Sequence, residues 1–358
     1  MRRFFDAGPV GRLSPMVRQF TSRLTDKDVR QRRRAVRKLF ELDDPAALPS
    51  FIPLLNDDDE WFRARAADAV RRWVGSSNLS EVESLSISER EEVRRLAAEV
   101  ALRADGSSAL LEKLSHDVEH TVRLEAWRSI LLADPLNQSI ILTALTDSNN
   151  AIRRIAVQAV GRSEGDRAET LGLALKDSHR RVVEAALDQL SLSSSPLPDE
   201  LFEQVAAFAD IEKKSPLKVV ALRLILPIDW VNAEFSRLAA TIDDPSTDEF
   251  RALIDFLQDV DWSDNKVVVN ALKSSEAPNL LPRLLRGRKE SWAQNLAHEI
   301  LVDEEIAPLM RLRLLEDAHG RECSSDFLDA ANSLASSDHE LLAQAASSLL
   351  VDVEVRTS

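Results

Sequence analysis

An alanine recurs through the first half of this 358-residue chain at a nearly constant interval, and no other feature restricts the fold as strongly. Successive alanines are 31, 31, 29, 30 and 30 residues apart. They are Ala35, Ala66, Ala97, Ala126, Ala156 and Ala186. A unit of about thirty residues cannot bury an apolar face alone, so neighbouring units must stack.

Two charged positions keep the same phase as the alanine. An arginine precedes it by three residues in five of the six units, and an aspartate precedes the arginine position by six residues in five units. The arginines are Arg32, Arg63, Arg94, Arg123 and Arg153, with Val183 in the sixth unit, and the aspartates are Asp26, Asp57, Asp117, Asp147 and Asp177, with Ser88 in the third. Charges repeated in register with a small apolar residue indicate one structural motif used many times.

Each unit has the pattern of two helices. Leu110, Leu111 and Leu114 have helical spacing just before Asp117, and similar apolar residues precede the other repeat aspartates. The aspartate and its neighbours are typical of a turn and a helix N-cap, and the second helix then carries the arginine and the alanine. The sequence predicts an all-α fold, a right-handed α-solenoid of about nine to eleven stacked antiparallel helix pairs.

The clearest unit reads DSNNAIRRIAVQAVG over residues 147–161. Its pattern, Asp-x-x-x-x-(Val/Ile)-Arg-x-x-Ala after a leucine-rich helix, resembles HEAT repeats of the phycobilisome-lyase-like class over about residues 26–190. The resemblance implies a structural ladder, in which each aspartate pairs with a repeat arginine within or beside its own unit. The predicted ladder comprises Asp26, Arg32, Asp57, Arg63, Arg94, Asp117, Arg123, Asp147, Arg153 and Asp177.

The pattern predicts three segments. Residues 1–25 are predicted to form an N-terminal capping helix, residues 26–190 six regular repeats, and residues 191–358 divergent acidic helical repeats with a C-terminal cap. The serine- and proline-rich stretch at 191–198 is typical of a loop or a joint. The charge changes at the same place, with 30 basic and 30 acidic residues before it and 16 against 30 after it, which accounts for the net charge of −14.

The arginines around the ladder form the candidate partner-binding site. The resemblance implies that the second helices line a concave face, where we predict a groove for a partner protein with an acidic surface, with Trp127 as its aromatic anchor. The predicted contacts are Arg33, Arg34, Arg37, Arg65, Arg72, Arg95, Trp127, Arg128 and Arg154. A solvated helix face balanced by the acidic turns is the alternative, and the zero net charge of this half favours it.

Catalytic chemistry has little support in the sequence. His116 and His120 are separated by the predicted helix break at Asp117, so we predict no metal site, no cofactor and no catalytic residues. Cys323 is the single cysteine, and no apolar stretch is long enough to cross a membrane, which favours a cytoplasmic protein.

The predicted function is therefore a non-enzymatic scaffold or adaptor, and the resemblance suggests a signalling or regulatory complex. The alternatives are a lyase-like enzyme acting on a chromophore-bearing protein and a nucleic-acid-binding protein.

Overall fold

The computed structural model describes residues 13–135, 137–162, 167–192, 197–211 and 215–357. Part of the predicted capping segment, residues 1–12, and part of the predicted joint, residues 193–196, lie outside the described residues. None of the described helices is both long enough and apolar enough to cross a membrane.

The described residues form 22 α-helices and no β-strand, so the prediction of an all-α fold is confirmed. The first twelve helices are α1 Pro15–Thr21, α2 Val29–Leu42, α3 Leu48–Phe51, α4 Glu60–Trp73, α5 Leu79–Ser86, α6 Glu91–Val100, α7 Ser108–Leu114, α8 His120–Ala133, α9 Gln138–Ala144, α10 Asn150–Ala159, α11 Arg167–Leu175 and α12 Arg180–Ser191. The other ten are α13 Asp199–Ala209, α14 Pro216–Val231, α15 Ser236–Asp243, α16 Thr247–Asp259, α17 Lys266–Ser274, α18 Leu280–Leu285, α19 Ser291–Val302, α20 Pro308–Ala318, α21 Ser325–Leu334 and α22 Glu340–Thr357.

The chain divides into two compact units, Met1–Ala185 and Ala186–Ser358. In the first unit the second helices of successive repeats pack side by side, α2 on α4, α4 on α6, α6 on α8 and α8 on α10. Their first helices α3, α5, α7 and α9 pack against them as a second layer. In the second unit α14, α16, α18, α20 and α22 pack successively, with α15 against α17 and α19 against α21. Each unit is thus a stack of helix pairs.

The repeat alanines lie at the centre of the stacks. All six are buried, none with more than 1% of its surface exposed. The apolar residue four positions earlier is buried as well, as at Phe62, Val122 and Ile152. Because a methyl group is the smallest side chain that still fills space, it allows the neighbouring helices to approach closely.

The turn between the two helices of a repeat uses two successive side-chain caps. Asp57 Oδ1 accepts a hydrogen bond from the amide of Asp59 at 3.0 Å, and Asp59 Oδ1 accepts one from the amide of Trp61 at 2.9 Å. Asp147 and Asn149 repeat the arrangement. The helix N-cap is therefore the residue two positions after the repeat aspartate, and the aspartate itself holds the turn that precedes the cap.

Candidate interaction surface

The repeat arginines connect each unit to the next. Arg94, on α6, donates from Nη1 to the backbone oxygens of Ser88 at 3.0 Å and Glu89 at 3.1 Å, in the turn of its own repeat. Its Nε and Nη2 donate to the two carboxylate oxygens of Asp117, in the turn of the following repeat, at 2.7 and 2.9 Å. One guanidinium therefore joins two turns through four hydrogen bonds, which its flat, forked geometry makes possible.

Three further arginines reach the aspartate of the following repeat. Arg153 pairs with Asp177 at 2.6 and 2.9 Å, and Arg123 pairs with Asp147 at the longer distances of 3.2 and 3.4 Å. Arg32 pairs with Asp57, and its Nε donates to the Leu24 backbone oxygen at 2.8 Å. In the rungs of Arg94, Arg123 and Arg153 the arginine side chains are 14–16% exposed and the carboxylates 9–11% exposed, so these pairs are largely shielded from water.

The first aspartate of the predicted ladder and the contact between its second and third units differ from this pattern. Asp26 has no repeat before it, and its carboxylate accepts only the Asp28 amide at 2.8 Å among the contacts of the described residues. Arg63 donates to the backbone oxygens of Asp57 and Asp58 at 2.9 and 2.8 Å, but it has no carboxylate partner in the described part of the chain. The position it would reach holds Ser88. The ladder is therefore interrupted at one rung.

The ion pairs change the acidity of the ladder carboxyls. The hydrogen bonds from Arg94 hold the pKa of Asp117 below its usual value, and those from Arg153 do the same for the pKa of Asp177. In return, the carboxylates raise the pKa of both arginines. Both partners of each pair therefore stay charged near neutral pH, as a structural ion pair requires.

The predicted partner-binding arginines fall into two groups, and the first group is already paired. Arg33 pairs with Asp59 at 3.0 Å, Arg65 with Asp68 at 2.9 Å, Arg72 with Asp43 at 2.7 Å and Arg128 with Glu125 at 3.1 Å. Arg71, beside them on α4, pairs with Glu99 of α6 at 2.8 Å. The surface is therefore a mixed layer of both charges rather than an uninterrupted basic stripe.

The second group has no carboxylate partner. Arg34, Arg37 and Arg95 are exposed and form no ion pair within the described residues. Arg154, on α10, is half-buried, and its Nε is shielded from water without a hydrogen-bond partner. These four arginines carry the positive charge that remains available for an outside partner.

A cleft of about 460 Å³ separates the outer faces of α2 and α4. Phe40 and Trp61 supply its aromatic lining, and its charged lining residues are Arg37, Arg65 and Glu41. The Arg33 guanidinium lies 5.3 Å from the Trp61 ring centre and steadies the ring through a cation–π contact. An aromatic lining with two arginines and one glutamate is a suitable receptor for an apolar side chain that is flanked by carboxylates.

The prediction of Trp127 as the anchor of this surface is wrong. Trp127 is 7% exposed, and what is accessible of its ring faces a different cleft, between the first helices α7 and α9, together with Leu111 and Ile140. The reason is helix geometry, because Trp127 and Arg128 are neighbours in sequence and therefore point about 100° apart. The aromatic side chains that do accompany the arginines are Phe40 and Trp61.

Several charged residues that matter here were not singled out by the sequence. Asp68 and Glu125 stand three residues from Arg65 and Arg128, a spacing that already predicts a pair on one helix face. The pair of Arg71 with Glu99 spans 28 residues and needs the packing of α4 on α6 to be known. No group of three potential metal ligands occurs in the part of the chain that the structure describes.

Residues 17–103 match the family model described as HEAT repeats. This part of the chain is similar to HEAT repeats. The matched segment covers most of α1, all of α2 to α6 and one complete arginine–aspartate pair, Arg32 with Asp57. No curated protein matches the sequence.

The solved structures that are similar to this chain have low sequence identity to it. An engineered protein from a structural genomics consortium aligns over 95% of this chain and 99% of its own at 15% identity, with a TM-score of 0.41. A subunit in the crystal structure of the S. pombe condensin Cnd3–Cnd2 subcomplex aligns over 90% of this chain and 48% of its own at 13% identity, with a TM-score of 0.35.

Proposed function

We propose that this HEAT-repeat protein is a non-enzymatic scaffold or adaptor that binds an acidic surface of a partner protein along the second helices of its first unit. The observation that carries the proposal is the cleft between α2 and α4, where Arg37 and Arg65 flank Phe40 and Trp61. Arg95, on α6, extends the surface as an exposed arginine without a partner. Arginine and tryptophan are the residues most often found at the energetic centre of protein interfaces.

The mixed charge of the surface favours a protein over a nucleic acid as the partner. Asp68 and Glu99 lie among the arginines and are paired with them. A continuous phosphate backbone would meet these carboxylates, whereas a folded protein can place its own charges to match both signs. The preformed helices also limit the conformational entropy lost on binding.

We extend the proposal to the class of the repeats and to the cell compartment. The spacing of Asp147, Ile152, Arg153 and Ala156 supports the phycobilisome-lyase-like class of HEAT repeats. An adaptor of this class would act in the cytoplasm, within a signalling or regulatory complex. The lyase activity of the class name is not part of the proposal, because the resemblance is confined to the repeat unit.

An affinity capture from the native cell extract tests the proposal. The variant Arg37→Glu/Arg95→Glu reverses two charges of the surface that are unpaired among the described residues, and Lys266→Glu/Arg283→Glu reverses two exposed charges of the second unit that are likewise unpaired there, as a matched control. We expect the wild type and the control to retain the same protein partner, and the surface variant to lose about 90% of it or more.

Capture is repeated after nuclease treatment, and the partner is located by chemical cross-linking. Cross-links to α2 and α4 that survive nuclease support the proposal. Equal capture by all three proteins would refute it, and a partner that disappears with nuclease would favour nucleic-acid binding instead.

A further inference from the structure

A second cleft, of about 320 Å³, lies within the second unit. It is enclosed by the end of α18, the loop that leads to α19, the end of α20 and the start of α21. Its floor is apolar and consists of Leu285, Ala293, Ala297, Leu314 and Phe327. A cavity of this size accepts one large side chain, and an apolar floor favours burial of that side chain.

The mouth of the cleft is basic, although the unit around it is acidic. Four cations surround the mouth, Arg286, Arg288, Lys289 and Arg321. Two of them are balanced, because Arg286 lies 3.5 Å from Asp317 and Lys289 lies 2.9 Å from Glu322. The remaining two arginines have no carboxylate within ion-pair distance in the described part of the chain.

The two unbalanced arginines differ in how they are held. Arg288 donates from Nε to the Leu284 backbone oxygen at 3.0 Å, and its guanidinium lies 5.2 Å from the Trp292 ring centre. This leaves the two terminal nitrogens of Arg288 for an outside acceptor. Arg321 makes no side-chain hydrogen bond to any described residue, so its whole guanidinium is available.

The loop that carries Arg321 is held by the C-terminal helix. Arg356 donates to the Arg321 backbone oxygen at 2.6 Å, and Asp352 accepts a hydrogen bond from the Gly320 amide at 3.0 Å. The Arg321 Nη1 lies against Gly287, 2.9 Å from where a β-carbon would stand, and Gly287 has a φ of +78°, a conformation that favours glycine. The backbone thus places Arg321 at the mouth of the cleft, and its guanidinium can turn towards a ligand.

We propose that this cleft binds a short acidic segment of a partner protein, with an apolar side chain on the floor and an adjacent carboxylate between Arg288 and Arg321. Charge complementarity selects the carboxylate, since two oriented guanidinium groups form charge-assisted hydrogen bonds with it. The apolar floor selects a peptide over a free anion, because a small anion would leave that surface exposed to water. The site lies wholly in the second unit and does not depend on the function proposed for the first.

Cys323 provides a reporter for occupancy of the cleft. It is the only cysteine of the chain and lines the cleft, and burial raises the pKa of its thiol. A peptide in the cleft covers the sulfur and slows alkylation by iodoacetamide. The reaction is followed by mass spectrometry on the full-length protein, and the reporter needs no engineered residue.

The probes are two pools of fluorescein-labelled seven-residue peptides with a central Leu, Phe or Trp. Glutamate flanks the central residue in the first pool and glutamine in the second. We expect the glutamate pool to bind saturably and to slow alkylation of Cys323, and the glutamine pool to bind at least about tenfold more weakly, which is the loss of one charge-assisted hydrogen bond.

Arg321→Gln is the test variant, because it removes a charge whose side chain has no hydrogen bond to any residue that the structure describes. Arg283→Gln is the matched control, because Arg283 is exposed, has no ion pair among the described residues and does not line the cleft. We expect Arg321→Gln to weaken binding of the glutamate pool about tenfold and Arg283→Gln to change it less than about twofold. Protection of Cys323 by the glutamate pool should be unchanged in Arg37→Glu/Arg95→Glu, which separates this site from the surface of the first unit.

Three results would overturn the proposal. The first is equal binding of both pools, or no saturable binding up to about 1 mM peptide. The second is unchanged affinity in Arg321→Gln. The third is protection of Cys323 by free glutamate or by an oligonucleotide as strong as protection by the glutamate pool, because the cleft would then recognise a small anion or a nucleic acid.

Discussion

Completing the interrupted rung should stabilise the first unit. Ser88 occupies the position of a repeat aspartate, and its backbone already has the same turn, because its amide donates to Leu85 at 3.2 Å just as the amide of Asp117 donates to Leu114 at 3.2 Å. Arg63 is bound to the turn of its own repeat through Nη1 alone. Ser88→Asp therefore places a carboxylate where Arg63 can donate to it without moving the backbone.

The expected gain follows from the complete rungs. There the guanidinium donates to two oxygens of a carboxylate that is 9–11% exposed. Hydrogen bonds to charged groups contribute about 1.5–3 kcal/mol each, but removing the carboxylate from water offsets most of that sum. We expect Ser88→Asp to raise the free energy of unfolding by about 1 kcal/mol. Without its arginine, the same carboxylate should lower it by about 1 kcal/mol.

A double-mutant cycle separates the pair from other effects of the substitution. Ser88→Asp, Arg63→Ala and the double variant are unfolded in urea at pH 7, followed by both circular dichroism and tryptophan fluorescence, because stacked repeats can unfold in more than one step. The two single-site expectations give a coupling energy of about 2 kcal/mol. Coincident transitions by the two probes justify the analysis.

The reasoning would be refuted by an equal gain in the presence and absence of the arginine. A new negative charge just before α6 also interacts with the positive end of the helix dipole, and that effect does not need Arg63. A coupling energy below about 0.5 kcal/mol would assign the gain to the dipole. Repeating the cycle at pH 3 is a second check, since the contribution of a carboxylate whose pKa is lowered by folding is lost as the pH falls through its folded value.

Three further predictions concern other charge pairs. Arg153→Ala should lower the free energy of unfolding by about 1–3 kcal/mol, because Asp177 loses its guanidinium; unchanged stability in urea would contradict this. Because Arg153 lowers the pKa of Asp177, the pair stabilises the fold fully at pH values above the pKa of an unfolded aspartate and loses this contribution below about pH 4. Asp177→Asn should therefore make the free energy of unfolding less dependent on pH in that range, as followed by circular dichroism. Lys218→Met should lower the free energy of unfolding by about 3 kcal/mol, because it leaves the buried Glu249 without the cation that lies 2.9 Å away. The double variant Lys218→Met/Glu249→Leu should recover most of this loss, and no recovery would argue against the pair.

The second helices of the first unit could be predicted because one buried position repeats in phase with a turn. Every copy of the alanine occupies an equivalent place between neighbouring helices, so its period in the sequence is the period of the stack. The missing carboxylate at Ser88 could also be predicted, because five other units have an aspartate at that position. The direction of the contacts, from Arg94 forward to Asp117, required coordinates, because the repeat pattern alone also allows each arginine to pair with the aspartate of its own unit.

The partner surface was less predictable, for two physical reasons. Whether Arg71 is available depends on Glu99, which comes near only when α4 packs on α6. Whether Trp127 is available depends on the rotation of α8 about its own axis, which brings the ring between the first helices. Charge and aromaticity can be read from the sequence, but exposure is decided by neighbouring helices.

In the second unit, other residue types form the ion pair between successive helix pairs and the basic cleft. The ion pair between Lys218 and Glu249 links α14 to α16 across 31 residues, nearly the spacing of the regular units, but with neither an arginine nor an aspartate. The basic cleft is formed by loops at Gly287 and Gly320, where no helical period applies. A sequence pattern of arginine, aspartate and alanine like that of the first unit therefore detects neither the ion pair nor the cleft.

The forward direction of the arginine contacts makes the first unit extendable. Each complete repeat has an acceptor for the repeat before it and a donor for the repeat after it, as Asp147 accepts from Arg123 while Arg153 donates to Asp177. A segment of thirty residues from one repeat aspartate to the next, such as 117–146, therefore carries both halves of the connection. Tandem duplication of that segment leaves no charge unmatched at either junction. Gene duplication, or deliberate insertion of a repeat, can thus lengthen the array one unit at a time.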